Sequence, residues 1–150
     1  MIHYLAIHDF VWINSTVTGK TLEFDYEALE ECMAAQYSYG DSTHVLEQAA
    51  FMLEKILIRK PFAYGNMRTG LVSLLAFLMA NKYTATGQDS GIADLIRSVA
   101  QNKLKSLEAV KKLAEPTQMG LRPGVTLRTI VTYLCNERRE ALRLLTPEDE

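Results

Sequence analysis

The segment that most constrains this chain is Leu71–Ala80, a run of ten residues in which Ser73 is the single polar side chain. Leu71, Leu74, Leu75, Leu78 and Met79 recur at the three- and four-residue spacing of a helix, and Val72, Ala76 and Phe77 cover much of the remaining circumference. A helix apolar on nearly every side has no face for water, so it belongs at the centre of a helical packing with other helices around it. It is about half the roughly 20 residues needed to cross a bilayer, which argues for a protein core rather than a membrane span. The rest of the chain supplies the material for such a core. Apolar residues are 48% of 150, charged residues 23%, and the 8 glycines and 4 prolines are too few for a disordered or fibrous chain. The length suits one domain over 1–150.

The surrounding helices are legible as further 3.6-residue patterns. The opening stretch Ile2–Trp12 is expected to be a short helix, although the pattern alone also admits a strand. Asp25 is an N-cap for a helix facing inward through Ala28, Leu29, Cys32 and Met33. Ser42 or Thr43 starts the next, with Val45, Ala49, Met52, Leu53 and Ile56 inward, and Pro61 ends it near Lys60. Asp89 or Ser90 opens a helix through Ile92, Leu95, Ile96 and Val99, and Leu104, Leu107, Val110 and Leu113 mark another. Pro116–Gly124 is the clearest linker. One last helix is expected at about 126–145, its stripe interrupted by Asn136–Glu140, with the chain frayed from Thr146 to Glu150. The fold class is therefore all-α, with at most one small β-hairpin, expected where Val17, Leu22 and Phe24 flank Thr18-Gly19-Lys20.

Charge and cysteine usage narrow the function classes. Sixteen basic against eighteen acidic residues leave a net charge of −2, without the basic excess on which phosphate-backbone binding depends, so no direct nucleic-acid binding is expected. Lys103, Lys105, Lys111 and Lys112 fit a solvated helix face. Cys32 and Cys135 sit in apolar patterns with no metal-ligand spacing, and no leader-like start is visible, which points to a reducing, cytoplasmic setting. Of the three histidines, His3, His8 and His44, the second is expected to be structural, packed on the central helix. The resumed stripe at Leu142 and Leu145 suits either the chain's own core or a weak homodimer.

The informative place is the loop Lys60-Pro61-Phe62-Ala63-Tyr64-Gly65-Asn66-Met67-Arg68-Thr69-Gly70, between two strongly apolar helices. Gly65 permits a turn that a side chain would strain, and Asn66 is expected to cap the next helix. The free amides of Met67, Arg68 and Thr69, the helix dipole and the Arg68 guanidinium would then converge as a phosphate cradle. Phe62 reads as a plug that pins the loop to the core.

Order and spacing in this loop resemble the Fic/Doc superfamily, whose hallmark is His-Pro-Phe-x-Asp/Glu-Gly-Asn-Gly/Lys-Arg between two core helices. Pro61, Phe62, Gly65, Asn66 and Arg68 match, and Thr69 matches the threonine that commonly comes next in the small death-on-curing (Doc) type. Leu5-Ala6-Ile7-His8-Asp9 is similar to the opening Leu-His-Asp helix of that type, and Ala76-Phe77-Leu78-Met79-Ala80-Asn81 to its Phe-Leu-x-x-Asn segment. The resemblance covers about residues 2–115. It implies a Fic/Doc-like helical domain, a nucleotide such as ATP held at Gly65, Asn66, Met67, Arg68 and Thr69, and transfer of a phosphoryl or nucleotidyl group to a protein hydroxyl. A target protein or an antitoxin is the implied partner, and the Val17–Phe24 segment stands where a target peptide would dock.

The departures lie at the chemistry. Lys60 stands at the position of the family histidine, and lysine, ordinarily protonated at neutral pH, is a poor base unless burial strips it of water. Tyr64 stands at the position of the family acid and lacks the anionic oxygen that magnesium prefers, so magnesium dependence is doubtful. Met67 replaces the glycine or lysine of the cradle. The expectation is a degenerate loop, non-catalytic in the usual family sense, that retains an anion cradle or acts by protein contacts. The alternatives are an active toxin-type transferase, with Lys60 desolvated or a base from another segment, and a purely structural or interaction module.

Overall fold

A computed structural model describes residues 2–37, 44–118 and 123–149. The apolar run Leu71–Ala80 is at the centre of the molecule: α4 (Asn66–Ala80), which contains it, is buried along its whole length except at Met67 and Met79. Each large apolar side chain so enclosed contributes roughly 1.5–3 kcal/mol relative to exposure. Around α4 stand α1 (Ile7–Thr18), α2 (Tyr26–Ala35), α3 (Val45–Arg59), α5 (Asp89–Ala100), α6 (Ser106–Leu113), α7 (Leu127–Glu137) and α8 (Arg139–Leu145). The α4 helix packs directly on α1, α3, α5, α7 and α8, while α2 and α6 lie against α3. One apolar cluster joins all eight, from Phe10 and Leu29 through Leu53, Leu74 and Ile96 to Val110, Leu134 and Leu145. Among the described residues no helix is long and apolar enough to cross a membrane.

The β-structure is not where the sequence suggested. The first helix starts at Ile7 and runs through the expected turn to Thr18, and Gly19 (φ 73°) closes it in the left-handed conformation with its N–H on the Ser15 carbonyl. The glycine that looked like a hairpin turn is a helix C-cap, a role in which the same positive φ is needed. Among the described residues the two-stranded pair is instead β1 (Tyr83–Ala85) with β2 (Ala114–Pro116), antiparallel, Thr84 opposite Glu115, with α5 and α6 between them in sequence. Pro116 is therefore strand rather than linker. Asp25 caps α2 as expected, accepting from the Ala28 N–H at 3.2 Å. Ser42 and Thr43, expected to open α3, lie outside the described residues, and His44 is the flanking residue.

The expected single helix over 126–145 is two. It breaks at Arg138 (φ −110°, ψ 27°), within the polar run Asn136–Glu140. The guanidinium of Arg138 reaches across to the carbonyls of Ala85 and Gly87 and to Asp89 at the start of α5. The apolar stripe on both halves is covered by the chain's own core through Ile130, Val131, Leu134, Ala141 and Leu145. The segment after α8 is not frayed: Thr146–Glu148 form a 3-10 turn, and Asp149 is buried.

Candidate functional site

The α3 helix ends at Lys60, whose backbone takes the left-handed conformation (φ 45°, ψ 64°) with its N–H on the Ile56 carbonyl. That sharp exit turns the chain so that Pro61 and Phe62 are buried while the Lys60 side chain is left exposed. The next residues run antiparallel to Glu23–Asp25: Asp25 N–H donates to the Pro61 carbonyl (2.8 Å) and Ala63 N–H to the Glu23 carbonyl (3.3 Å), flanking a bridge between Phe24 and Phe62. In such a non-hydrogen-bonded pair both residues turn their own N–H and C=O outward. The Asn66 side chain satisfies both groups of Phe62, accepting from its N–H at 3.1 Å and donating to its carbonyl at 2.9 Å. Among the described residues nothing bonds those of Phe24, a residue 43% exposed whose ring meets Phe62 edge-on. Phe62 is the expected plug.

Gly65 (φ 80°) is the residue before α4, and a Cβ there would stand 2.5 Å from the Thr18 side chain, so both backbone and space demand glycine. Asn66, expected as the cap, is instead the first helical residue, and its amide has been drawn off to Phe62. Asn14, buried on α1, ties the turn down from the other side through the Tyr64 carbonyl and the Thr69 hydroxyl, both at 3.1 Å.

The cap comes from the far end of the chain. The Asp149 carboxylate accepts from the N–H groups of Met67 (2.7 Å) and Arg68 (2.9 Å) and from Arg68 Nε (2.9 Å), and the Asp149 carbonyl accepts from Gly65 N–H (2.7 Å). Its side chain is 3% exposed and that of Arg68 8%. Arg68 also donates through Nη1 to the Val17 carbonyl. The free amides expected at 67, 68 and 69 are thus two rather than three, because Thr69 N–H is already in the helix ladder on the Gly65 carbonyl. The converging donors that suggested a cradle are real, and an anion of the chain itself lies on them.

Two cavities meet at Tyr64. One, about 490 Å³, is lined by Leu57, Lys60, Phe62, Met67, Ala100 and Asp149 among others; the second, about 430 Å³, by Thr18, Lys20, Tyr64, Arg68 and Thr146. Opposite the loop, Arg97 of α5 donates through Nε to Glu148 (2.7 Å), through Nη1 to Asp94 (2.6 Å) and through Nη2 to the Leu144 carbonyl. The two carboxylates of this wall, Glu148 and Asp149, are each held by an arginine, and the Tyr64 carbonyl is held by Asn14. That donor set does not fit a magnesium ion, which keeps waters and takes unengaged anionic oxygens. Among the described residues no group of three or more His, Cys, Asp or Glu is placed to hold a metal.

The histidines stay away from the loop. His3 is tied by its backbone to the side chain of Asn81, at the opposite end of α4, roughly 20 Å away at 1.5 Å per helical residue. His44 is at the start of α3, whereas Lys60 is at its end. His8 is not packed on the central helix as expected: its side chain is 76% exposed, with Nε2 3.5 Å from Asp9 Oδ1, while Asp9 Oδ2 accepts from Ala6 N–H at the helix start. Both thiols are shifted away from the thiolate: burial pushes Cys32 up to about 12, with Glu31 adding to the shift, and burial raises Cys135 as well.

Asp149, Glu148, Arg97 and Asn14 were not among the residues the sequence singled out. The only signal was compositional, an acidic Pro147-Glu148-Asp149-Glu150 stretch after the last apolar stripe, and a lone asparagine on the inward face of the first helix. The chain matches no protein-family model, no curated protein and no solved structure.

Proposed function

We propose that this chain is a Fic/Doc-like protein with a degenerate active-site loop, not a catalyst in the usual family sense, whose α4 start serves as an anion cradle. The observation that carries the reading is Asp149: a carboxylate 3% exposed, seated on the Met67 and Arg68 amides and on the Arg68 guanidinium. Amides at a helix start beside an arginine are the chemistry that holds phosphate as well as carboxylate, so ATP or another nucleotide phosphate is the ligand class to test. Catalysis by altered chemistry finds less support. Lys60 is exposed, whereas Arg68 and Asp149 at the α4 start are buried, and the histidines stand elsewhere. Contacts to a target protein or an antitoxin have a physical basis in the open backbone edge at Phe24, which suits an added strand.

Calorimetric titration of the wild type, Asp149→Asn and Arg68→Ala with ATP, GTP, their diphosphates and inorganic phosphate, with and without magnesium, tests the cradle. Removing the resident carboxylate should raise phosphate affinity at least about tenfold, and Arg68→Ala should weaken it about tenfold to a hundredfold, since one charged contact is worth roughly 1.5–3 kcal/mol. Magnesium should change little. If no variant takes any of these anions, α4 is simply capped by Asp149 and the chain is an interaction module.

A further inference from the structure

The segment that fills the cradle is held at more points than a helix cap requires. Glu148 is bound by Arg97 Nε on α5, the Asp149 carbonyl by the Gly65 N–H, and the Asp149 carboxylate by two amides and Nε of Arg68 on α4. Donors from a loop and two helices thus match two successive acidic side chains and a peptide carbonyl. A free phosphate could satisfy the Met67–Arg68 group but has nothing to offer Arg97 and Gly65 together. Beside these donors lies the cavity of about 490 Å³, with Leu57, Phe62 and Met67 as apolar wall and the exposed Lys60 at its rim.

The geometry points to an acidic peptide as the ligand of this site: a Glu-Asp pair in a tight turn, presented by another protein, with the chain's own Glu148–Asp149 as resident competitor. The inference rests on the anion-cradle reading and narrows it to a peptide. A tethered competitor acts at an effective concentration of roughly millimolar and weakens a partner peptide in proportion to that concentration over the resident segment's own dissociation constant, so the partner is held off in the wild type and admitted when the resident acids are gone.

The test uses the full chain and a fluorescein-labelled, acetylated and amidated peptide with the sequence Leu145 to Asp149, followed by anisotropy. Glu148→Ala/Asp149→Ala, shown folded by circular dichroism, should bind this peptide at least about tenfold more tightly than the wild type does. A peptide with Gln and Asn in place of the acids should lose that gain. Adding Arg97→Gln should weaken the peptide but leave inorganic phosphate unaffected, because only the peptide reaches α5. If the alanine variant does not fold, Glu148→Gln/Asp149→Asn keeps the shape and removes the charge. Phosphate binding without peptide binding would overturn the inference and leave the cradle standing, and loss of both would remove both. Equal binding of the neutral peptide would also overturn it, by showing that the apolar wall rather than the acids is recognised.

Discussion

Arg68 and Arg138 do similar work toward opposite ends of the central helix, and the difference between them separates a proposed site from a staple. Each joins a helix to a segment distant in sequence through a carboxylate and backbone carbonyls. Arg138 divides its donors among the carbonyls of Ala85 and Gly87 and Asp89, groups fixed by β1 and by the start of α5. Nothing from outside could replace partners that belong to the rigid frame. Arg68 points its Nε at a carboxylate carried by a single 3-10 turn, on a helix start where amides converge, between two cavities. In the proposed reading, its partner holds a place that another anion would take.

The comparison is broken most decisively at Arg68. Truncation to alanine leaves the Asp149 carboxylate buried on amides alone, and removing one partner of a buried pair costs about 3–5 kcal/mol. Urea denaturation of Arg68→Ala should therefore show a large loss. In the double variant Arg68→Ala/Asp149→Asn the loss should be well below the sum of the singles, because no charge is stranded. A cost under about 1 kcal/mol for Arg68→Ala would mean that the pair is far more solvated than its 8% and 3% exposures imply, and the distinction would collapse.

Arg138 should come next. Its alanine variant loses three hydrogen bonds from a pair whose side chains are 18% exposed, a loss of about 1–3 kcal/mol by urea denaturation. Lysine should recover little, since one ammonium cannot span the three acceptors that a planar fork reaches. Added phosphate should leave this variant's stability unchanged, whereas it should stabilise Asp149→Asn. Rescue of Arg138→Ala by phosphate would show that Arg138, too, borders an anion site.

How much of this was legible depended on whether the signal was local. The central helix, the exit at Pro61, the Asp25 cap and the turn at Gly65 follow from short-range rules, and the structure has all four. Gly19 misled because positive φ serves a hairpin turn and a helix C-cap equally, and nothing in Thr18-Gly19-Lys20 distinguishes them. The β1–β2 pair joins strands far apart in sequence, and no local pattern announces it. Asn66 misled in an instructive way: a good capping residue was used to satisfy Phe62, and the vacant cap was filled by Asp149, 81 residues from Arg68. The candidate site was therefore half visible, its donors readable from the loop and the carboxylate on them hidden in a stretch whose composition predicts fraying.

The smallest effect belongs to the ion pair with the closest contacts of the three. Arg143 donates to both oxygens of Glu140 at 2.5 and 2.8 Å, one turn apart on α8, and that hydrogen bonding holds the Glu140 carboxyl below the usual glutamate value of 4.5. Both side chains are more than half exposed, so water and salt compete for the same charges, and each long side chain loses rotamer freedom to keep the contact. Because the folded-state value is lowered, whatever the pair contributes is fully present at neutral pH and fades only as pH falls below the ordinary glutamate range. Glu140→Gln should accordingly leave the urea midpoint at pH 7 within error of the wild type, and the two stability curves should converge further toward acid pH. A loss at pH 7 as large as that of Arg138→Ala would show that contact distance, rather than burial and the stranded partner, ranks the arginines of this protein, and the contrast between Arg68 and Arg138 would need a different explanation.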